Sequence, residues 1–92
     1  MIKSFRHKGL ANFFYYGSTS GIQNKHVAKL RLQLTALDSA SGPEGMNVCS
    51  WRLHPLKGDL AEHWSVSVNG HWRLTFFFIG KDAFLVDYQN YH

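Results

Sequence analysis

The apolar residues of this chain change their period once, and that change limits the fold more than any other feature. Before Ser41, Val27, Leu30, Leu34 and Leu37 recur at the three- and four-residue spacing of one buried helix face. After Gly45, Trp64–Val68 and Trp72–Ile79 are rich in the aromatic and β-branched residues that favour strands. Between the two regimes lies Ser41–Gly45, where Gly42, Pro43 and Gly45 end the helix. Helices followed by a run of strands predict the α+β class, with the helices packed on one face of an antiparallel sheet.

The remaining elements fit that plan. Met1–Phe5 reads as a short strand, and Lys8–Tyr16 as a short helix or turn stopped by Gly17. Asn24 is placed to cap the helix that runs to about Ala40, with Lys25, Lys29 and Gln33 on its solvent side. Arg52–Leu56 opens the sheet and Ala83–Tyr88 adds a strand. Asn69-Gly70 between two strand patterns predicts a two-residue hairpin with φ > 0 at both positions. An ideal turn there pairs Val68 with His71, Val66 with Arg73 and Ser65 with Leu74. Arg73 would then share a face with Trp64, Val66, Val68 and His71. Leu74, Phe76 and Phe78 would take the opposite face, under the helices. At 92 residues there is room for one domain, so residues 1–92 are read as a single unit.

Composition restricts the chemistry. Cys49 is the only cysteine, which excludes an intrachain disulfide and any cysteine-based zinc site. Met1 is followed by Lys3, Arg6 and Lys8 rather than an apolar stretch, so a cytoplasmic location is expected. The longest apolar run lies within Leu74–Ile79, far short of the roughly 18–20 residues that span a bilayer, and no membrane role is expected. Charge is uneven. Lys3, Arg6, Lys8, Lys25, Lys29, Arg31 and Arg52 face only Asp38 and Glu44 in residues 1–52, a net +5. Lys57, Arg73 and Lys81 against Asp59, Glu62, Asp82 and Asp87 leave residues 53–92 at −1. Such a chain suits an anionic partner, nucleic acid or acidic protein. Lys25, Lys29 and Arg31 are candidates for RNA contact, although a solvated helix face is the leading reading of such residues.

Four features carry candidate chemistry. His54-Pro55-Leu56-Lys57-Gly58-Asp59 sets an imidazole and an ammonium three residues apart, held out of regular structure by Pro55 and Gly58. Trp72-Arg73 lies in the central strand, Tyr91-His92 lies at the chain end, and acidic residues are nearly absent among these candidates. RNA cleavage by its own 2′-hydroxyl needs a base for that hydroxyl and an acid for the leaving 5′-oxygen. It also needs cations beside the phosphorane-like transition state. His54, Lys57, Arg73, Tyr91 and His92 meet those needs without a metal or cofactor. His7, His26, His63 and His71 are read as structural. No H-x₃-H or HExxH spacing, phosphate loop or Ser-His-Asp signature occurs.

Five segments in this order resemble the HigB family, toxins of bacterial type II toxin–antitoxin pairs within the RelE/ParE superfamily. They are Leu53-His54-Pro55-Leu56-Lys57-Gly58-Asp59, Trp64-Ser65-Val66-Ser67-Val68-Asn69, Trp72-Arg73-Leu74-Thr75-Phe76, Asp87-Tyr88 and Tyr91-His92. Met1-Ile2-Lys3-Ser4-Phe5 and Leu37-Asp38-Ser39-Ala40 also look like that family's start and helix end, so the resemblance spans nearly the whole chain. It implies a RelE-like fold and a hydrolase that cuts messenger RNA in the ribosomal A site without metal, arresting growth. It also implies a helix-turn-helix antitoxin of the HigA type, with DNA touched only through that antitoxin. The family's active-site lysine, arginine and terminal Tyr-His match Lys57, Arg73, Tyr91 and His92, and the histidine of its His-Pro-Leu segment matches His54.

Two positions depart from the pattern. Many members carry arginine where this chain has Ser67, and an acidic residue where it has Asn90, itself a candidate supporting group. The departures lead to an expectation of slower cleavage or a different codon preference. Two other readings stay open: a ParE-like poison that binds DNA gyrase, and a catalytically weak toxin that acts as a binding partner of its antitoxin.

Overall fold

The computed structural model describes residues 1–58 and 61–90. Helix α1 (Lys8–Tyr16) starts at His7, whose Nδ1 accepts the Leu10 N–H at 2.9 Å. The imidazole does there what a serine or aspartate cap usually does. The helix stops at Gly17, whose φ of 76° lets its N–H reach back to the Asn12 and Phe13 carbonyls. A 3₁₀ turn over Asn24–His26 leads into α2 (Val27–Ser39). Neither start is capped by a side chain, so Asn24 does not do what its position predicts.

Leu30, Leu34 and Leu37 of α2 are buried as expected, and Gln33 is buried with them. The sequence reading put Gln33 in solvent. It falls three residues after Leu30 and four before Leu37, and so belongs to the same stripe.

Four strands follow: β1 (His54–Pro55), β2 (Trp64–Asn69), β3 (Trp72–Ile79) and β4 (Asp82–Asn90). They form one antiparallel sheet in the order β1-β2-β3-β4. The predicted Met1–Phe5 strand runs along the outer edge of β4. Ile2 and Phe5 make parallel bridges to Ala83 and Val86. Backbone bonds of 2.8–3.1 Å join Lys3 and Arg6 N–H to the Ala83 and Val86 carbonyls, and Ala83 and Val86 N–H to those of Met1 and Ser4. An edge that would otherwise be open to pairing is thereby covered.

Register decides which residues meet the helices. Ser65 pairs with Thr75, Val66 with Leu74 and Ser67 with Arg73, and the ladder shifts between Ser67 and Asn69. Asn69 pairs with Trp72, so the two loop residues are Gly70 and His71. Only Gly70 has positive φ, 58°. This corrects the ideal Asn69-Gly70 turn. The bulge at Val68 adds one residue to β2, and one residue of slip exchanges the faces. Arg73 therefore does face away from the helices, but its neighbours there are Ser65, Ser67 and Thr75. Trp64 and Val66 lie on the covered side.

The core forms between that side and the helices. Val66, Leu74, Phe76, Val86 and Tyr88 pack with Leu10, Phe13, Leu30, Leu34 and Leu37. Trp72 stacks on Tyr88 with ring centroids 4.5 Å apart. His26, fully buried, hydrogen-bonds the Tyr88 hydroxyl through Nδ1. Its ring meets Trp72 edge-on at 5.6 Å. Among the described residues no helix is long and apolar enough to cross a membrane.

Two predictions follow from this packing. A Cβ added at Gly21 would lie 2.9 Å from the Gly9 Cα, so Gly21→Ala must push the loop off α1. Urea denaturation should show a loss of about 1–3 kcal/mol, and an unchanged midpoint would refute the close approach. Burial, helped by Lys25, holds the His26 pKa below 6.5. On acidification the unfolded chain takes up that proton first. This contribution to stability is present above pH 6.5 and is lost as pH falls through the lowered folded value. The melting temperature should decline on that acid limb, less steeply in His26→Gln, and identical slopes would contradict it.

Candidate active site on the uncovered sheet face

Directly paired residues share a face, so the register lays out the uncovered side in rows. His54, Ser65, Thr75 and Asp87 form one row across the four strands. Ser67, Arg73 and Gln89 form the next. One strand and one row separate His54 from Arg73, about 12 Å between their backbones at the usual strand spacing and rise.

Arg73 is half-buried and held at one end. Its Nη1 donates to Ser67 Oγ at 3.1 Å, to the Gly70 carbonyl at 2.9 Å and to the Trp72 carbonyl at 3.4 Å. Every hydrogen bond it makes to the described residues runs through that nitrogen, and none of them engages Nη2 or Nε. The bulge and the Gly70 turn create this cradle by bringing a serine and a turn carbonyl beside the guanidinium.

His54 is exposed in β1, and its Nδ1 donates to the Arg52 carbonyl at 3.1 Å. Arg52 has φ 54°, and this left-handed turn comes just before β1. A carbonyl only accepts, so this contact calls for the proton on Nδ1. Lys57 is exposed, two residues beyond the end of β1. Asn90 is exposed opposite Trp72, and by alternation it belongs to the Trp72 side rather than the Arg73 side. Tyr91 and His92, like Asp59, lie outside the described residues.

The RNA-contact candidates of the first half lie elsewhere. Lys25 lies in the 3₁₀ turn and Lys29 and Arg31 on α2, all in the helical layer. The Arg31 guanidinium sits over the Phe13 ring, 5.5 Å from its centroid.

From the sequence, Ser67 stands out as a departure from the family pattern, whereas Ser65, Thr75, Asp87 and Gln89 receive no site role. A signal was present: serine alternates with valine over Ser65–Val68, and Asp87 and Gln89 alternate with Val86 and Tyr88. Asp87 is the carboxylate of this face. Its Oδ1 accepts the Tyr88 N–H at 2.9 Å and its Oδ2 accepts from Gln89 Nε2 at 2.8 Å. Ser65 Oγ is buried without a partner among the described residues. The ion pair among these residues joins the N-terminal ammonium to Asp82 at 3.5 Å and involves neither Lys57 nor Arg73. No group of three or more His, Cys, Asp or Glu among them is arranged to hold a metal ion.

The family model for HigB-like toxins, described as the RelE-like toxin of type II toxin–antitoxin system HigB, matches residues 3–92. Endoribonuclease HigB of Proteus vulgaris is 45% identical over 92 residues, covering 100% of both chains. The two helices on one face of a four-stranded antiparallel sheet agree with the RelE-like fold that this match implies. With nearly its whole length matched and its fold in agreement, the chain belongs to the HigB-like toxins of type II toxin–antitoxin systems.

Proposed function

We propose that this protein is an endoribonuclease toxin that cuts messenger RNA in the ribosomal A site, using its own side chains for acid and base catalysis. One observation carries the reading: Arg73 is anchored through Nη1 on the face turned from the helices, with no bond from Nη2 or Nε to the described residues, one strand away from His54. A full-length relative named as an endoribonuclease supports the same conclusion.

In this mechanism Arg73 and Lys57 bind the scissile phosphate and neutralise the charge that builds on it. One imidazole of the pair His54 and His92 removes the proton from the ribose 2′-hydroxyl, whose oxygen attacks phosphorus. The other delivers a proton to the departing 5′-oxygen. Tyr91 positions the sugar or base, and Asn90 supports the chain end beside Trp72. The site residues need no cofactor in these roles. Lys25, Lys29 and Arg31 lie on another layer, where ribosomal RNA is a fitting partner. The antitoxin would be a HigA-type helix-turn-helix protein through which DNA is reached, and the single domain would act in the cytoplasm.

The purified protein should cut mRNA only with translating ribosomes present and should go on cutting in EDTA. Arg73→Ala should lower the rate at least about a hundredfold, the scale expected for a lost transition-state donor. Cutting of free RNA at the same rate would overturn ribosome dependence. A fully active Arg73→Ala would overturn the site, and no cutting at all, with inhibition of DNA supercoiling, would move the protein to the gyrase-binding class.

A further inference from the structure

The buried Gln33 has no place in the reaction just described, yet it reaches the strand that holds Arg73. Its Nε2 donates to the Ser67 carbonyl at 2.8 Å, from α2 on the covered side of the sheet. The bond falls where the β2–β3 ladder shifts register, so a side chain serves the backbone at the bulge. Gln33 is fully buried and its Oε1 has no partner among the described residues. A half-satisfied amide costs the core stability, so its stability contribution alone is a weak reason for its presence.

The same Ser67 turns its hydroxyl to the other face, where it accepts from Arg73 Nη1 at 3.1 Å. The bulge also brings round the Gly70 carbonyl, which accepts from that nitrogen at 2.9 Å. The helix, the bulged strand and the guanidinium are thus joined by two consecutive hydrogen bonds through one residue. We propose that Gln33 and Ser67 are positioning residues that fix the bulge and, through it, orient the Arg73 guanidinium toward the substrate phosphate.

The proposal rests on Arg73 being the phosphate-binding group. Ser67 acts by holding Nη1, so that Nη2 and Nε meet the phosphate without first losing rotational freedom. Gln33 acts one step further away, by keeping Ser67 in register with Arg73. A second cation at position 67 would remove the hydroxyl acceptor and set a like charge beside the guanidinium.

Two measurements test this, and one of them does not depend on cleavage. By NMR, Arg73 Nη and Nε resonances should show hindered rotation of the guanidinium in the wild type, faster rotation in Ser67→Ala, which keeps only the Gly70 and Trp72 carbonyl acceptors, and the wild-type rate again in Ser67→Thr. In ribosome-programmed cleavage, Ser67→Ala and Gln33→Met should each lower kcat about three- to tenfold, the scale of one hydrogen bond, with KM and melting temperature nearly unchanged. Ser67→Thr should restore the rate, and Ser67→Arg should fall below Ser67→Ala. In an Arg73→Lys background the Ser67→Ala loss should shrink, because both changes act on one group. A freely rotating guanidinium in the wild type, or a gain of rate in Ser67→Arg, would overturn the proposal. If the wild type cleaves nothing, the nuclease reading fails, and the NMR result still decides whether Gln33 and Ser67 hold Arg73.

Discussion

The arrangement depends on the pairing of β2 with β3, and within that pairing on the shift between Ser67 and Asn69. An antiparallel pair in one register puts Val66 opposite Leu74 under the helices and half-buried Ser67 opposite half-buried Arg73 on the other face. A slip of one residue would bury the guanidinium against Leu30 and Leu34 and expose the core valines. Hydrophobic burial at roughly 25 cal/mol per Å² sets the register, and the exposed chemistry is its consequence. The site on one face is therefore paid for by packing on the other.

The bulge gives the site what regular pairing would withhold. It turns the Ser67 and Gly70 oxygens to the arginine, and it gives the buried Gln33 a carbonyl to hold. At the far edge Leu85 takes φ 52°, where the β3–β4 ladder shifts as well, and its N–H meets Ser4 Oγ at 2.9 Å. That contact ties the N-terminal segment to β4. The His26–Tyr88–Trp72 cluster lies directly beneath the row that carries Arg73 and gives the end of β3 a rigid floor. In a chain this small, polar residues in the core do positional work that a larger apolar core would do elsewhere.

Much of this was legible in the sequence because it follows from period. The three-and-four spacing of Leu30, Leu34 and Leu37 gave α2, and the strand patterns around Gly70 gave the hairpin. Leu74 and Phe76 under the helices and Arg73 away from them followed from alternation. What escaped depends on non-local competition. The turn slipped from Asn69-Gly70 to Gly70-His71 because the bulge fits Val66 and Leu74 to the core, which no local propensity reports. Gln33 reads as polar and hence exposed, until its backbone partner at Ser67 is known. Lys25, Lys29 and Arg31 are candidates for RNA contact in the sequence, and only the layering of helix on sheet shows how they lie relative to Arg73.

In the proposed reaction the 2′-hydroxyl of the RNA itself is the nucleophile, helped by imidazole, lysine and arginine groups. The chemical ends of the cleaved RNA test it most directly, by mass spectrometry of the fragments. Attack by the 2′-oxygen leaves a 2′,3′-cyclic phosphate, or the 3′-phosphate from its hydrolysis, on one fragment and a 5′-hydroxyl on the other, which is the result predicted here. A 3′-hydroxyl with a 5′-phosphate would mean that water attacks phosphorus directly, and would contradict the roles assigned to His54, Lys57 and Arg73.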